Sequence, residues 1–384
     1  MNRITYYALT PQDAWFFRDG RPYNKEEFNQ ADAVSQFPPS PRTITGAFRA
    51  ALARANGWKK GLTWDFSLNP VLGHGPDDLG ALQGAGPFLL KGSQPLFPAP
   101  LHLLGKTEKK NNEKNWNPAT LLRPAKEKTL TDMGEVFLPE IDRNLSAEGL
   151  KPAEKRWMNK TGYQAILAGK LPGPADIAAA DTLWQLECRV GLQRDASTLQ
   201  TEEGALYSPA LVRLCRDVSL GFGAGLDLSK LPEPFDSVLP TRFPLGGESR
   251  MALCEQLDME DFLPSGPDEL DRNKDLVRFI VIALTPVPAR EKADISTLLH
   301  LDGVECVCAC AGKPVFFGGW NSIQREPVPL EPFHPAGSVW FCEAPEGSLP
   351  GILALHGTWI GARRLTAHGF GQILIGRWPR QTHN

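Results

Sequence analysis

Glycine and proline interrupt this chain so often that few stretches can run as a long helix: 36 glycines and 34 prolines are spread over 384 residues. Proline removes a backbone donor and glycine weakens a helix, so this density predicts many turns, irregular connections and short strands rather than a helix bundle. Hydrophobic residues make up 42% of the chain, enough to pack a core. The length exceeds what one core usually organises, so two domains of α+β class are expected.

A net charge of −3 excludes a protein that coats nucleic acid through its overall field, so any polyanion must be met by local clusters. Of seven cysteines, Cys306, Cys308 and Cys310 are spaced by two, which puts them on one face of a strand as buried thiols rather than zinc ligands. No paired-aspartate turn or histidine-aspartate motif suits a divalent ion, so neither metal nor cofactor is expected. The start "MNRITYYALTPQDAW" lacks an apolar signal core, and no apolar run approaches membrane-span length. The expectation is a soluble cytoplasmic protein with no membrane partner.

Ile4 to Leu9 reads as a first strand. In "DAWFFRDGRPY", Asp19-Gly20 is a strong turn signal that sets Arg18 and Arg21 on the two sides of a bend, with Trp15, Phe16 and Phe17 anchoring it. Forked cationic donors on a bend suit phosphates, although arginines beside turns are mostly solvated surface groups. "FPPSPRTITGAFRAALARANGW" then predicts an amphipathic helix. Ser40 caps it, Pro41 takes the first position, Asn56-Gly57 stops it, and Ile44, Phe48, Ala51, Leu52 and Ala55 share a face. Arg42 and Arg49 lie seven apart near one stripe, and Gly46 between them leaves room for another backbone. Residues 87–104 read as two extended segments around Gly92-Ser93, "KTEKKNNEK" at 106–114 as a mobile charged loop, and 106–182 as an insertion.

From Cys188 to Leu214 the pattern is strand, polar turn, strand, bordered by Arg189 and Arg194. "PLGGESRMALCEQL" places Gly246-Gly247 and Arg250 beside a strand, a weak anion-site signal that a tight turn explains equally well. A new unit begins near Asp275 with the buried-type strand "VRFIVIALTPVP". Strands follow around 304–310, 313–317, 339–342 and 373–375, the last after His368, Gly369 and Gly371.

"FFRDGRPY", "FPPSPRTITGAFRAAL", "RVGLQRDASTLQTEEGALYSPALVRL", "PLGGESRMALCEQL", "FGGWN" with "HPAGSVWF", and "HGFGQILIG" together resemble the third-subunit family of the Cmr complex, the type III-B CRISPR effector of antiviral defence, within the RAMP superfamily. The resemblance covers both ends and the middle, leaving out roughly 59–86 and 106–182. It implies two ferredoxin-like, RRM-related domains, at 1–265 and 275–384, with long insertions and a projecting hairpin. It also implies a role without catalysis: gripping the repeat-derived 5′ handle of the guide RNA, joining the large polymerase-like subunit, abutting the helical backbone RAMP subunit, and meeting target RNA indirectly. A single-stranded handle needs backbone clamps and stacking surfaces. Arg18, Arg21, Arg42, Arg49, Arg189, Arg194 and Arg250, with Gly246, Gly247, His368, Gly369 and Gly371, are the residues this implies for that grip.

The main rival is a metal-independent ribonuclease that processes precursor guide RNA, with His368 as its general base or acid. No second histidine lies near His368 in a recognisable constellation, and a lone histidine beside a glycine loop is usually a surface hydrogen-bonding group. A pure assembly protein is the third reading. Trp58, Trp64 and Phe66 are candidate contacts for a neighbouring subunit, with core burial their default.

Overall fold

The computed structural model describes residues 4–18, 32–59, 62, 66–110, 113–132, 134–142, 144–194, 201–227, 235–259, 261–289, 295–321 and 326–379. It is a mixed α+β protein of mostly antiparallel sheets and few helices. None of the described helices is long and apolar enough to cross a membrane. Two compact units interleave along the chain: residues 1–92, 181–258 and 316–331 form the first, and residues 93–180, 259–315 and 332–384 the second. The expected boundaries run one after the other, whereas the 93–180 segment groups with the C-terminal residues.

In the first unit, β1 (Thr5–Pro11) is followed by β2 (Asp32–Val34), α1 (Pro41–Ala55) and β3 (Leu82–Lys91). The helix forms where its punctuation directs. Ser40 Oγ accepts from the Arg42 amide, Pro41 opens the first turn, and Gly57 takes a φ of +88° just past the end. Its buried face carries Ile44, Phe48, Ala51 and Leu52 but ends at Ala53, leaving Ala55 exposed. Beyond residue 180 come β4 (Trp184–Cys188), β5 (Gly191–Arg194), β6 (Thr201–Leu214), β7 (Val218–Leu226), β8 (Arg242–Pro244) and β9 (Met251–Gln256). Five strands make an antiparallel sheet in the order β3-β7-β1-β9-β8. Phe48 of α1 packs against Tyr7, Phe222 and Phe243 of this sheet, at ring separations of 5.4, 4.9 and 5.4 Å. The expected hairpin is β5 with β6; β6 also pairs with β4 antiparallel and with β2 in parallel. The last strands of this unit are β10 (Val315–Asn321) and β11 (Glu326–His334), neighbours in one sheet.

In the second unit the C-terminal strands are ordered Ile373–Gly376, Leu276–Ala283, Val339–Pro345, Glu305–Cys310, all antiparallel, with helices at Ile295–Leu299 and Leu349–Ala354. The apolar run expected to be buried supplies its core, with Val277, Phe279, Val281 and Ala283 packed against Trp340, Cys342, Ile373 and Ile375. A register shift between Cys306 and Cys308 interrupts the expected alternation, and all seven cysteines are free thiols. Burial raises Cys308 and Cys310 to about 12.

Residues 93–180 join this unit through specific contacts. Leu101 N–H donates to Gly337 O (2.8 Å), Arg377 N–H to Leu167 O (2.8 Å), and the His102 ring stands edge-on to Phe341 at 6.0 Å. Of the stretch expected as a mobile loop, residues 106–110 and 113–114 are instead paired in the antiparallel ladder of Leu103–Lys110 with Glu113–Leu121, and residues 111–112 lie outside the described residues. Side-chain contacts hold it: across the hairpin Asn117 Nδ2 donates to Glu108 Oε2 (3.1 Å), and Arg156, from outside it, lies over the Trp116 ring at 5.5 Å. A β-ladder takes its hydrogen bonds from the backbone, so a charged, apolar-poor sequence can still form one.

Candidate nucleic-acid interface

The aromatic turn is anchored as its sequence implies. Trp15, Phe16 and Phe17 are buried; the Trp15 backbone is bridged to Val212, and Phe17 N–H donates to Ser35 Oγ (3.1 Å). Arg18, bridged through its backbone to Ser35, is exposed. Arg21 lies outside the described residues, as does the side chain of Arg194, whose backbone pairs with Thr201.

Asp13, the first residue of the same motif, organises a cluster that the motif alone does not announce. Its carboxylate accepts from Arg213 Nη2 (2.9 Å), Arg189 Nη2 (2.9 Å) and Arg250 Nη1 (3.1 Å). Glu187 accepts from Arg189 Nε (2.6 Å) and from Arg213 Nε. Hydrogen bonds from Arg213 and then Arg189 hold both carboxyls below their usual range, and the carboxylates in turn raise the two guanidinium groups. Three arginines around two carboxylates leave one positive charge in excess. Each guanidinium has five N–H donors, and these contacts use two on Arg189, two on Arg213 and one on Arg250; Arg250 Nε is buried, and the other unused donors remain for an anion. The side chains are 24–46% exposed, open enough for a ligand to reach.

Gly246 and Gly247 sit beside this cluster for a reason internal to the fold. Gly246 has a φ of +82°, a Cβ there would lie 2.5 Å from Phe16 O, and the Gly247 amide donates to that same oxygen (2.8 Å). The glycines admit the aromatic turn, and Arg250 closes the turn they open through its N–H to Gly247 O (3.2 Å).

The two helix arginines face inward. Arg42 is buried, 3.9 Å from Glu331 Oε1. Arg49 is also buried and donates to the carbonyls of Gly75 (2.9 Å), Gly73 (3.3 Å) and Asp78 (3.4 Å), with desolvation lowering it to about 10 against the pull of Asp78. Gly46, expected to admit a second backbone, has nothing within 4 Å of its would-be Cβ. Trp58 packs on the cluster of Leu52, Leu68, Val71 and Leu72, while Trp64 and the Phe66 side chain are outside the described residues.

His368, Gly369 and Gly371 belong to the second unit. His368 is 1% exposed, so it is a buried residue and not the surface group expected beside a glycine loop. Gly369 O accepts from Thr285 Oγ1 (2.7 Å), and Gly371, at a φ of +76°, would place a Cβ 2.2 Å from Ile360 O. The glycine loop is therefore compact because other backbone crosses it. The structure gathers Arg189 and Arg250 with Gly246 and Gly247, and adds Asp13, Glu187 and Arg213. A period-two spacing of Glu187 and Arg189 was the available signal for one edge of the cluster; nothing local marks Arg213.

A family model described as CRISPR-associated protein (Cas_Cmr3) matches residues 7–378. No curated protein matches the sequence. Similar solved structures include a chain of the type III-B Cmr-beta complex bound to cognate target RNA and AMPPnP, 14% identical, covering 88% of this chain and 86% of that one at a TM-score of 0.48. A chain of the same complex bound to cognate target RNA is 15% identical with the same coverage and TM-score. A chain of the Csm3-Csm4 subcomplex of the type III-A interference complex is 13% identical, covering 88% and 92% at a TM-score of 0.35.

Proposed function

The chain belongs to the Cas_Cmr3 family of CRISPR-associated proteins, subunits of type III-B effector complexes, and from that premise we propose that it is a non-catalytic RNA-binding subunit that grips the 5′ handle of the guide RNA in the cytoplasm. The observation that carries this is the half-exposed cluster of Arg189, Arg213 and Arg250, with one net positive charge and unused donors. Arg18, exposed beyond the buried aromatics, is a further candidate contact. Phosphates bind such a cluster by joining its spare N–H groups, without displacing Asp13 or Glu187. Arg42 and Arg49 contribute by holding α1 and the 73–78 loop in place rather than by touching RNA.

Two ferredoxin-like units are the fold we assign. In each, leaving aside the short edge strands Arg242–Pro244 and Asp271–Asn273, four strands numbered in chain order lie as 2-3-1-4: β3-β7-β1-β9 in the first unit, and the C-terminal sheet in the second. In the second, a helix follows strands one and three, the arrangement of a β-α-β-β-α-β unit. The burial of His368 supports the reading without catalysis, because a general base must reach the ribose 2′-hydroxyl. The large polymerase-like subunit and the helical backbone subunit are the protein partners proposed.

The test is binding of labelled guide RNA, its handle intact or scrambled, to this chain with its large-subunit partner, resolving cleavage products in the same samples. Handle-dependent binding without cleavage is expected. Cleavage lost on His368→Ala would move the protein to the ribonuclease class, and equal binding of both RNAs would leave an assembly protein.

A further inference from the structure

The second unit holds a cavity of about 900 Å³, and none of the residues assigned to the RNA grip lines it. That volume suits a small organic ligand of nucleotide size. Its floor is the face of the C-terminal sheet turned away from the Phe279 and Cys342 core. There Asp271, Arg278, Glu343 and Glu305 stand in one cross-strand row, each directly opposite the next. Three of the four are satisfied within the protein. Asp271 accepts from Arg377 Nε (3.1 Å), and Arg278 Nε donates to Glu343 Oε1 (2.7 Å) while its guanidinium lies over the Trp378 ring at 4.7 Å. Glu305 is exposed, has no ion pair among the described residues, and stands opposite the like charge of Glu343, an arrangement that destabilises a sheet.

The 93–180 segment supplies further lining through Arg123, Lys126 and Phe137. Arg123 lies 3.7 Å from Asp142, whereas Lys126 is exposed and has no ion pair among the described residues. The cavity therefore combines a spare carboxylate, a spare cation and the flat rings of Phe137 and Trp378. Those three features select the ligand. A basic side chain would meet Lys126 and Arg123, a simple anion would meet Glu305, and a free amino acid is too small to cover the rings. A nucleotide answers all three, with a phosphate for Lys126, a plane for the rings and the Arg278 guanidinium, and N–H groups for Glu305. Among the bases, guanine has two adjacent donors, N1–H and the 2-amino group, that match both oxygens of one carboxylate.

We propose that this cavity binds a guanine nucleotide: Glu305 accepts from N1–H and the 2-amino group of the base, Arg278 and the aromatic rings bound its plane, and Lys126 meets its phosphate. A free guanine nucleotide and a guanosine within an RNA chain share this chemistry. The site uses none of the residues of the arginine cluster, and the proposal does not rest on the handle grip.

The test is titration calorimetry on the full chain with GMP, IMP, AMP and guanosine, and with short RNAs in which a guanosine is present or replaced by adenosine. Each titration is repeated on Glu305→Gln and Lys126→Ala. Glu305 is exposed and the Gln change removes its repulsion with Glu343, so that variant melts no lower than the parent. One GMP binds per chain. IMP, which lacks the 2-amino group, and AMP bind about tenfold more weakly or worse, and Glu305→Gln weakens GMP to the same degree. Lys126→Ala weakens GMP several-fold and leaves guanosine unchanged. Glu305-dependent binding of GMP assigns a free nucleotide; Glu305-dependent binding of the guanosine RNA with GMP silent assigns an RNA residue. Equal binding of GMP and AMP, or no Glu305-dependent binding of any of these ligands, would overturn the proposal.

Discussion

Replacing Arg49 separates a bracket inside the fold from a contact with RNA. Its guanidinium holds three carbonyls of the 73–78 loop, one at 2.9 Å and two at 3.3–3.4 Å, in a site where the side chain is buried. A hydrogen bond from a charged donor contributes about 1.5–3 kcal/mol, and the two longer bonds fall near or below the bottom of that range. Arg49→Ala removes all three, so a loss of about 3–4 kcal/mol is expected, read as a lowered midpoint in urea unfolding. Arg49→Lys keeps the charge but has no planar fork to span three carbonyls, so it recovers less than half of the loss. Guide-RNA affinity of the folded protein, measured below the unfolding transition, stays within twofold of the parent. An Arg49→Ala protein that melts like the parent yet loses RNA would refute the bracket and return Arg49 to the RNA surface.

Other perturbations test the packing that positions the site. Burial lowers His102 to about 3 from an ordinary 6.5, and neither ring nitrogen has a partner among the described residues. The unfolded chain therefore takes up a proton that the folded one refuses between those values. Stability present above pH 6.5 falls as the pH drops, by about 1.4 kcal/mol per unit. His102→Phe keeps the edge-on contact with Phe341 and abolishes this component, so its advantage over the parent grows by about 2 kcal/mol from pH 6.5 to 4.5 in denaturant titrations; a constant difference would contradict the burial. Gly246→Ala drives a Cβ against Phe16 O at positive φ and costs about 2 kcal/mol or more by thermal melting, whereas Gly46→Ala, exposed within α1, gains up to about 1 kcal/mol.

How far the sequence reveals this protein depends on the range of the interactions involved. The α1 helix was legible because Ser40, Pro41 and Gly57 act within a turn of its ends. The Leu276–Ala283 strand was legible because its apolar run is continuous. The 103–121 hairpin was not, since its charged strands are held by a partner strand rather than by an apolar face. The inward turn of Arg49 depends on carbonyls 24 to 29 residues away. The arginine cluster depends on the register that sets Gln185 opposite Arg213 and on the bridge from Trp15 to Val212, which brings in Asp13. Local spacing cannot encode either. The family motifs did mark the segments that meet there, because "DAWFFRDGRPY" and "LGGESR" fold onto each other through Phe16 and Gly247.

The central claim is that Arg189, Arg213 and Arg250 meet the phosphates of the handle, and the salt dependence of binding tests it most directly. The comparison is between the parent and a variant in which the three arginines become Gln while Asp13→Asn and Glu187→Gln remove the acids they would orphan. For single-stranded RNA each neutralised phosphate contributes about 0.7 to the slope of log affinity against log salt. Removing all three arginine–phosphate pairs is predicted to make the slope shallower by about 2 for RNA carrying the intact handle. An unchanged slope, in a variant that melts like the parent, would contradict the account.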